Sequence, residues 1–310
     1  MTSLARPSPP RTSVTRPDRV YWLQTETLRV VVDPMRGCKI TSLVRLPSDR
    51  EWLLQSDRPA VESLQHGSIF TDSPMCGWDE MFPTVDACTY LRVSLAGTSL
   101  PDHGEVWSRA WEIEELTPTS IRCSIRVLSL PYHFQRELKL DGSAMSLQYR
   151  LATDGPESLV VLWAPHPQFT VNPGTLLSLP ADTGTLDTKL EGASRMTRFL
   201  AVPAAGFDCT QVVPKGAGMM LYAPPDVLVD SARLCDPDGS WLQMSWDAEQ
   251  VLCFAVWMDN SLYAPTPIVC PEPMSGYYDS LRRAYESGRV LEVEAAEPAV
   301  WTLNVSVGRI

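Results

Sequence analysis

Hydrophobic and polar residues alternate with period two through most of the chain. Over 120–127, Ile121, Cys123, Ile125 and Val127 fall on one side and Ser120, Arg122, Ser124 and Arg126 on the other. Met145, Leu147, Tyr149 and Leu151 alternate with Ser146, Gln148 and Arg150, and Leu242, Met244 and Trp246 with Gln243 and Ser245. Near the C-terminus, Trp301, Leu303, Val305 and Val307 alternate with Thr302, Asn304 and Ser306. Successive strand side chains point to opposite faces, so each stretch predicts a strand with one face on a core and one in water. The continuous apolar runs 159–163 and 251–258 predict strands covered on both faces. Asp141-Gly142 and Asp238-Gly239 sit between such stretches and predict hairpin turns. Only 279–285 has the apolar spacing of a helix, with Gly288 after it as a stop. Recurring strands separated by turns predict an all-β protein of stacked antiparallel sheets. No internal repeat or break in composition divides the chain. The expected organisation is a flexible tail over residues 1–18 and a single β-sandwich domain over 19–310.

Composition narrows the class of partner. Hydrophobic residues make up 44% of the 310, which supplies a sizeable core. The 37 acidic against 26 basic residues leave a net charge of −11, a surface that repels phosphate backbones and anionic lipid. Nucleic-acid and membrane partners are therefore not expected, nor is a heavily phosphorylated substrate. The eight cysteines form no CxxC pair and have no histidine at zinc-ligand spacing, so no zinc site is expected. Scattered thiols in apolar strand patterns suit a reducing compartment. Residues 1–18 have no apolar core, and no run approaches the roughly 20 apolar residues of a membrane span. The expectation is a soluble, cytoplasmic protein, monomeric or homodimeric.

Candidate chemistry is confined to few residues. Of the four histidines, His66 and His133 have ordinary loop and strand contexts. His166 follows the 159–163 run and is held between Pro165 and Pro167, whereas His103 lies in a turn-like loop with Asp102, Glu105 and Trp107 nearby. Glu272, between Pro271 and Pro273, reads as a carboxylate on a stiff turn after an apolar strand. Strand ends are where a β scaffold presents a site. Each residue also has a plain reading, since a lone histidine in a β protein is more often structural and a carboxylate between prolines can be a solvated turn residue.

The same residues carry a family resemblance. The segments DHGEVW at 102–107, HPQF at 166–169 and PEPMSGYYDSL at 271–281, in that order and at those separations, resemble landmarks of the aldose 1-epimerase (galactose mutarotase-like) family. GWDEMFPT at 77–84 resembles a variant of its divergent members, and the stretch from Asp230 through Gly239 to Asp247 resembles its later strands. The resemblance covers roughly residues 20–308. It implies a large β-supersandwich with a sugar cleft on the concave face of one sheet, working without metal or cofactor. It makes Glu272 the general base and His166 the general acid that open the sugar ring, with His103 a further polar contact. Better-studied members carry an arginine where this chain has Asp79 and Glu80, which here would accept hydrogen bonds from sugar hydroxyls. Asp230 is a further hydroxyl-binding candidate. Trp107 is a candidate for stacking on a sugar face, although it and its neighbours Trp78 and Trp111 also read as core. Arg109 and Lys215 are candidate cleft cations. The function implied is an isomerase interconverting sugar anomers. The alternatives are a non-catalytic carbohydrate-binding module on the same fold, and another isomerase or lyase reaction on a modified sugar.

Overall fold

Each alternating stretch forms a strand whose apolar side chains point into a common core. In the computed structural model, residues 20–56, 64–193, 198–277, 279–295 and 297–310 are described. The expected tail and Tyr278 of the 271–281 segment lie outside them. Strands Ala144–Thr153, Ser240–Trp246 and Ala299–Arg309 alternate buried and more exposed positions as the pattern requires. The turns fall where expected: Asp141 pairs with Ala144 across Gly142, and Gly239 links Ser231–Cys235 to Ser240–Trp246. Both glycines have positive φ (55° and 85°), the left-handed conformation that favours glycine. The expected helix forms over Leu281–Glu286, burying Leu281 and Ala284.

Nine strands form one antiparallel sheet, ordered Phe207–Asp208, Leu176–Ser178, Ser231–Cys235, Ser240–Trp246, Ala299–Arg309, Ala144–Thr153, Tyr132–Asp141, Ser120–Arg126 and Glu112–Leu116. Two six-stranded sheets complete the sandwich. The first runs Tyr21–Gln24, Leu28–Asp33, Lys39–Arg45, Trp78–Met81, Ala164–Pro167, with Arg50–Glu51 on the side of its third strand. The second runs Phe169–Thr170, Ile268–Met274, Cys253–Asn260, Ala217–Tyr222, Thr185–Leu190, Arg198–Ala201. The architecture is an all-β, antiparallel supersandwich. Its main core brings Leu138, Leu147 and Trp301 of the nine-stranded sheet into one cluster with Trp163, Leu221 and Val256. Among the described residues no helix is long and apolar enough to cross a membrane.

The apolar run over 159–163 does not stay in one ladder. Leu159–Val161 pairs with Leu291–Val293, and the chain then enters Ala164–Pro167, which pairs with Trp78–Met81. Past Gln168 it crosses to the second six-stranded sheet, where Phe169 pairs with Val269. Ala164–Pro167 and Ile268–Met274 thus lie side by side where the two six-stranded sheets meet. Both carry prolines in alternate positions: Pro165 and Pro167 on one, Pro271 and Pro273 on the other. Proline nitrogen has no hydrogen to donate, and no ladder joins these two strands. The seam is pinned at one end by Ser275 N–H donating to Trp163 O at 2.9 Å and at the other by the Phe169–Val269 pairing.

Candidate functional site

His166 and Glu272 face each other across that seam. Glu272 lies within the Ile268–Met274 strand rather than on a turn after it, and His166 lies inside its own short strand. His166 Nδ1 and Glu272 Oε1 are 2.6 Å apart, in a hydrogen bond between strands that share no backbone ladder. Cross-strand registers extend the contact into a row: Asp79 is opposite His166, Ala255 opposite Glu272, Tyr222 opposite Ala255, and Asp187 opposite Tyr222. Residues paired in register share a face of the sheet, so one face carries Asp79, His166, Glu272, Tyr222 and Asp187 in sequence.

Burial sets the electrostatics. His166 is 5% exposed and Glu272 2%. Loss of water penalises both charged forms: burial, reinforced by His103, pushes the imidazole down to about 3. Burial pushes the Glu272 carboxyl up to about 8, against the opposing influence of His103. Near neutral pH the pair therefore holds one proton, resting on Glu272, with both groups uncharged. A protonated carboxyl donating to Nδ1 leaves the ring hydrogen on Nε2, and His166 Nε2 is buried without a hydrogen-bond partner among the described residues.

His103 reaches the same place from its loop, with a left-handed φ of 57° and Nδ1 hydrogen-bonded to Asp102 Oδ2 at 2.8 Å. The two imidazole centroids are 6.0 Å apart, nearly perpendicular. Phe70, on the three-residue 3-10 turn Phe70–Asp72, lies against both. Its ring stacks on His103 at 4.1 Å, meets His166 edge-on at 5.4 Å and touches Trp107 at 5.0 Å. Phe70 is 3% exposed and joins Leu54, Met75, Trp107, Trp257, Ile268 and Cys270 in a second apolar cluster. A cavity of about 50 Å³ is bordered by Lys39, Asp79, Cys76 and Trp107, room for a few waters and too little for a sugar. A cavity of about 490 Å³ lies elsewhere, lined by Thr188, Thr210, Gln211, Lys215 and Asn260 among others, without histidine or carboxylate.

The structure gathers His103, His166, Glu272, Asp79 and Trp107, and it sends the other candidates elsewhere. Residues 78–81 form a strand, so the adjacent Asp79 and Glu80 point to opposite faces. Asp79 lies beside His166 and pairs with Lys39 Nζ at 2.9 Å, which brings a cation to this point from a neighbouring strand. Glu80 faces the core instead. Its carboxylate takes Arg136 Nη1 at 2.7 Å, Tyr149 Oη at 2.9 Å and Trp163 Nε1 at 2.8 Å, tying together strands of two layers. Asp230 is exposed and precedes Ser231–Cys235 in the nine-stranded sheet. Arg109 donates to the carbonyl of Arg126 at 2.9 Å and lies 3.5 Å from Glu105, which commits its guanidinium away from the pair. Lys215 lines the larger cavity. Trp78 and Trp111 are in the main core. Phe70 escaped sequence reasoning because an aromatic in a polar loop-like stretch has no periodic context.

Donor atoms of His166, Cys270 and Glu272 lie within 4.8 Å of one another, all buried, a set chemically able to hold a transition-metal ion. Such an ion would have to displace the 2.6 Å hydrogen bond and take the proton from a Cys270 thiol that burial holds well above its ordinary range.

This architecture has well-defined structural relatives. No family model matches the chain, and no curated protein matches it in sequence. Among solved structures, the Slr1438 protein of Synechocystis superposes with a TM-score of 0.73 at 18% identity, covering 97% of this chain and 100% of that one. A galactose mutarotase-like protein from Lactobacillus casei gives 0.72 at 13% identity over 94% and 100%. The GalM/aldose epimerase homologue of C. elegans gives 0.68 at 11% identity over 94% and 100%. The chain therefore has the galactose mutarotase-like fold. At these identities the likeness assigns the fold and leaves the chemistry to the residues.

Proposed function

We propose that the protein is an aldose 1-epimerase, which interconverts the anomers of a sugar by opening and reclosing its ring. The observation that carries this reading is the 2.6 Å hydrogen bond between His166 Nδ1 and Glu272 Oε1, with the other ring nitrogen, Nε2, unpartnered among the described residues. Ring opening needs a proton taken from the anomeric hydroxyl and another given to the ring oxygen. Here both can move without creating buried charge. The anomeric O–H bond breaks as its proton passes to Glu272 Oε2. The proton on Oε1 passes to His166 Nδ1, and the hydrogen on Nε2 is delivered to the ring oxygen as the C1–O bond breaks. The sugar becomes the open aldehyde, and the pair keeps its single proton in the opposite arrangement. Rotation about C1–C2 and reversal of the same transfers give the other anomer. The family roles, Glu272 as base and His166 as acid, describe the two ends of this relay. His103 lies where a further polar contact to the sugar is useful, and Asp79 with Lys39 flanks His166 on the other side.

A sugar between the two imidazoles takes the place that Phe70 fills, so the reading requires the Phe70–Asp72 turn to move aside. The same closure favours one rival reading, a non-catalytic carbohydrate-binding module. NMR exchange spectroscopy on a panel of aldoses separates them. Catalysis predicts faster anomer exchange that Glu272→Gln lowers by about 10²-fold or more, whereas a binding module predicts sugar affinity without exchange.

A further inference from the structure

The row that carries His166 and Glu272 continues to a second buried acid that the proton relay does not use. Tyr222 stands on the same face as Glu272, with Ala255 between them, so the sheet itself places only a methyl group in the gap. The separation is two strand spacings, roughly 9–10 Å between backbones. The Tyr222 hydroxyl donates a short hydrogen bond to Asp279 Oδ2. Asp279 follows the Ile268–Met274 strand and is anchored by its own carbonyl, which accepts from Asp86 N–H at 2.9 Å. Its side chain is 5% exposed, and Oδ1 has no hydrogen-bond partner among the described residues. Asp86, Glu272 and Lys189 are all near enough to act on this carboxyl electrostatically. A buried acceptor left unpaired is costly unless a ligand completes it. Two buried polar atoms are orphaned here, His166 Nε2, a donor, and Asp279 Oδ1, an acceptor.

We infer that Asp279, oriented by Tyr222, is a second substrate-recognition residue that accepts a hydroxyl of the sugar remote from the anomeric carbon. The inference rests on the epimerase reading, which fixes the anomeric end at Glu272 and His166. A hexopyranose held there extends a ring or exocyclic hydroxyl toward Asp279. The substrate class that fits is an uncharged hexopyranose. An acidic sugar would find no opposite charge in the uncharged Glu272–His166 pair, and Lys39 is already committed to Asp79.

The test measures anomer exchange and equilibrium binding by NMR for glucose, galactose, mannose and their monodeoxy forms. Wild-type protein, Asp279→Ala, Asp279→Asn and Tyr222→Phe are compared. The wild type is expected to discriminate about tenfold or more against one monodeoxy sugar altered away from the anomeric carbon. Asp279→Ala loses that discrimination and raises KM for the parent sugar by a similar factor with kcat little changed; Asp279→Asn, which keeps an acceptor oxygen, restores part of both. If Asp279→Ala does not fold, Tyr222→Phe, which keeps the carboxyl but frees it, is expected to weaken the same discrimination. Variants that keep wild-type ratios across the monodeoxy series overturn the role of Asp279 and leave the epimerase reading standing. A wild type that neither binds nor interconverts any of these sugars removes both.

Discussion

Replacing Phe70 with alanine removes a ring that is 3% exposed and in contact with His103, His166 and Trp107. If a sugar must occupy that position, the ring has to leave before binding. Exposing one buried phenylalanine side chain costs about 1.5–3 kcal/mol, which holds the open form at roughly one part in ten to one in a hundred and fifty. The apparent affinity falls by the same factor, because ligand sees only the competent fraction. Alanine has little apolar surface to expose, so Phe70→Ala is expected to lower KM about 10- to 100-fold with kcat nearly unchanged. Progress curves for anomer exchange at several sugar concentrations give both constants, and a thermal melt reports the stability lost. An unchanged or raised KM, together with a destabilisation of about 3–5 kcal/mol typical of a core Phe→Ala change, would show that Phe70 is ordinary packing and refute the displacement.

Three further outcomes follow from the site. Activity is expected to hold through neutral pH and fall above about 8, where the pair loses its only proton and with it the acid; a profile that rises through pH 8–9 contradicts the one-proton relay. Glu272 also links pH to folding: its carboxyl is raised from 4.5 to about 8, so its contribution is complete below 4.5 and is lost as pH rises through about 8. Denaturant titrations of Glu272→Gln across that window should show a flatter pH dependence of stability than the wild type. Glu80→Gln leaves Arg136 buried beside a neutral partner and is expected to cost about 3–5 kcal/mol in chemical denaturation, while residual folded protein still binds sugar; a specific loss of binding without loss of stability would place Glu80 back in the cleft.

Much of the fold is legible in local pattern. Alternation at 120–127, 145–151 and 301–307 and the Asp-Gly turns at 141–142 and 238–239 depend on neighbours in sequence, and the ladders follow them. His166 and Glu272 stand out between prolines and His103 in a turn-like loop beside acids and an aromatic, and the folded chain gathers them. What local pattern cannot reveal is which face a short strand presents when both faces are buried. Residues 78–81 are buried throughout, so no polar–apolar alternation distinguishes Asp79 from Glu80, and only the folded chain separates the residue beside His166 from the core ion pair. Tyr222 and Asp279 are 57 residues apart and become neighbours only through the sheet. Phe70 has no signature at all, since its importance lies in what it covers.

The proline seam makes chemistry and alignment hard to separate. Between its two pins, the register of Ala164–Pro167 against Ile268–Met274 is held by side chains, and the strongest polar tie is the proton-sharing pair itself. A substitution that abolishes turnover there also loosens a joint in the scaffold. Amides on the flanking strands Trp78–Met81 and Cys253–Asn260 should then exchange with deuterium faster than in the parent protein, although neither strand has been touched.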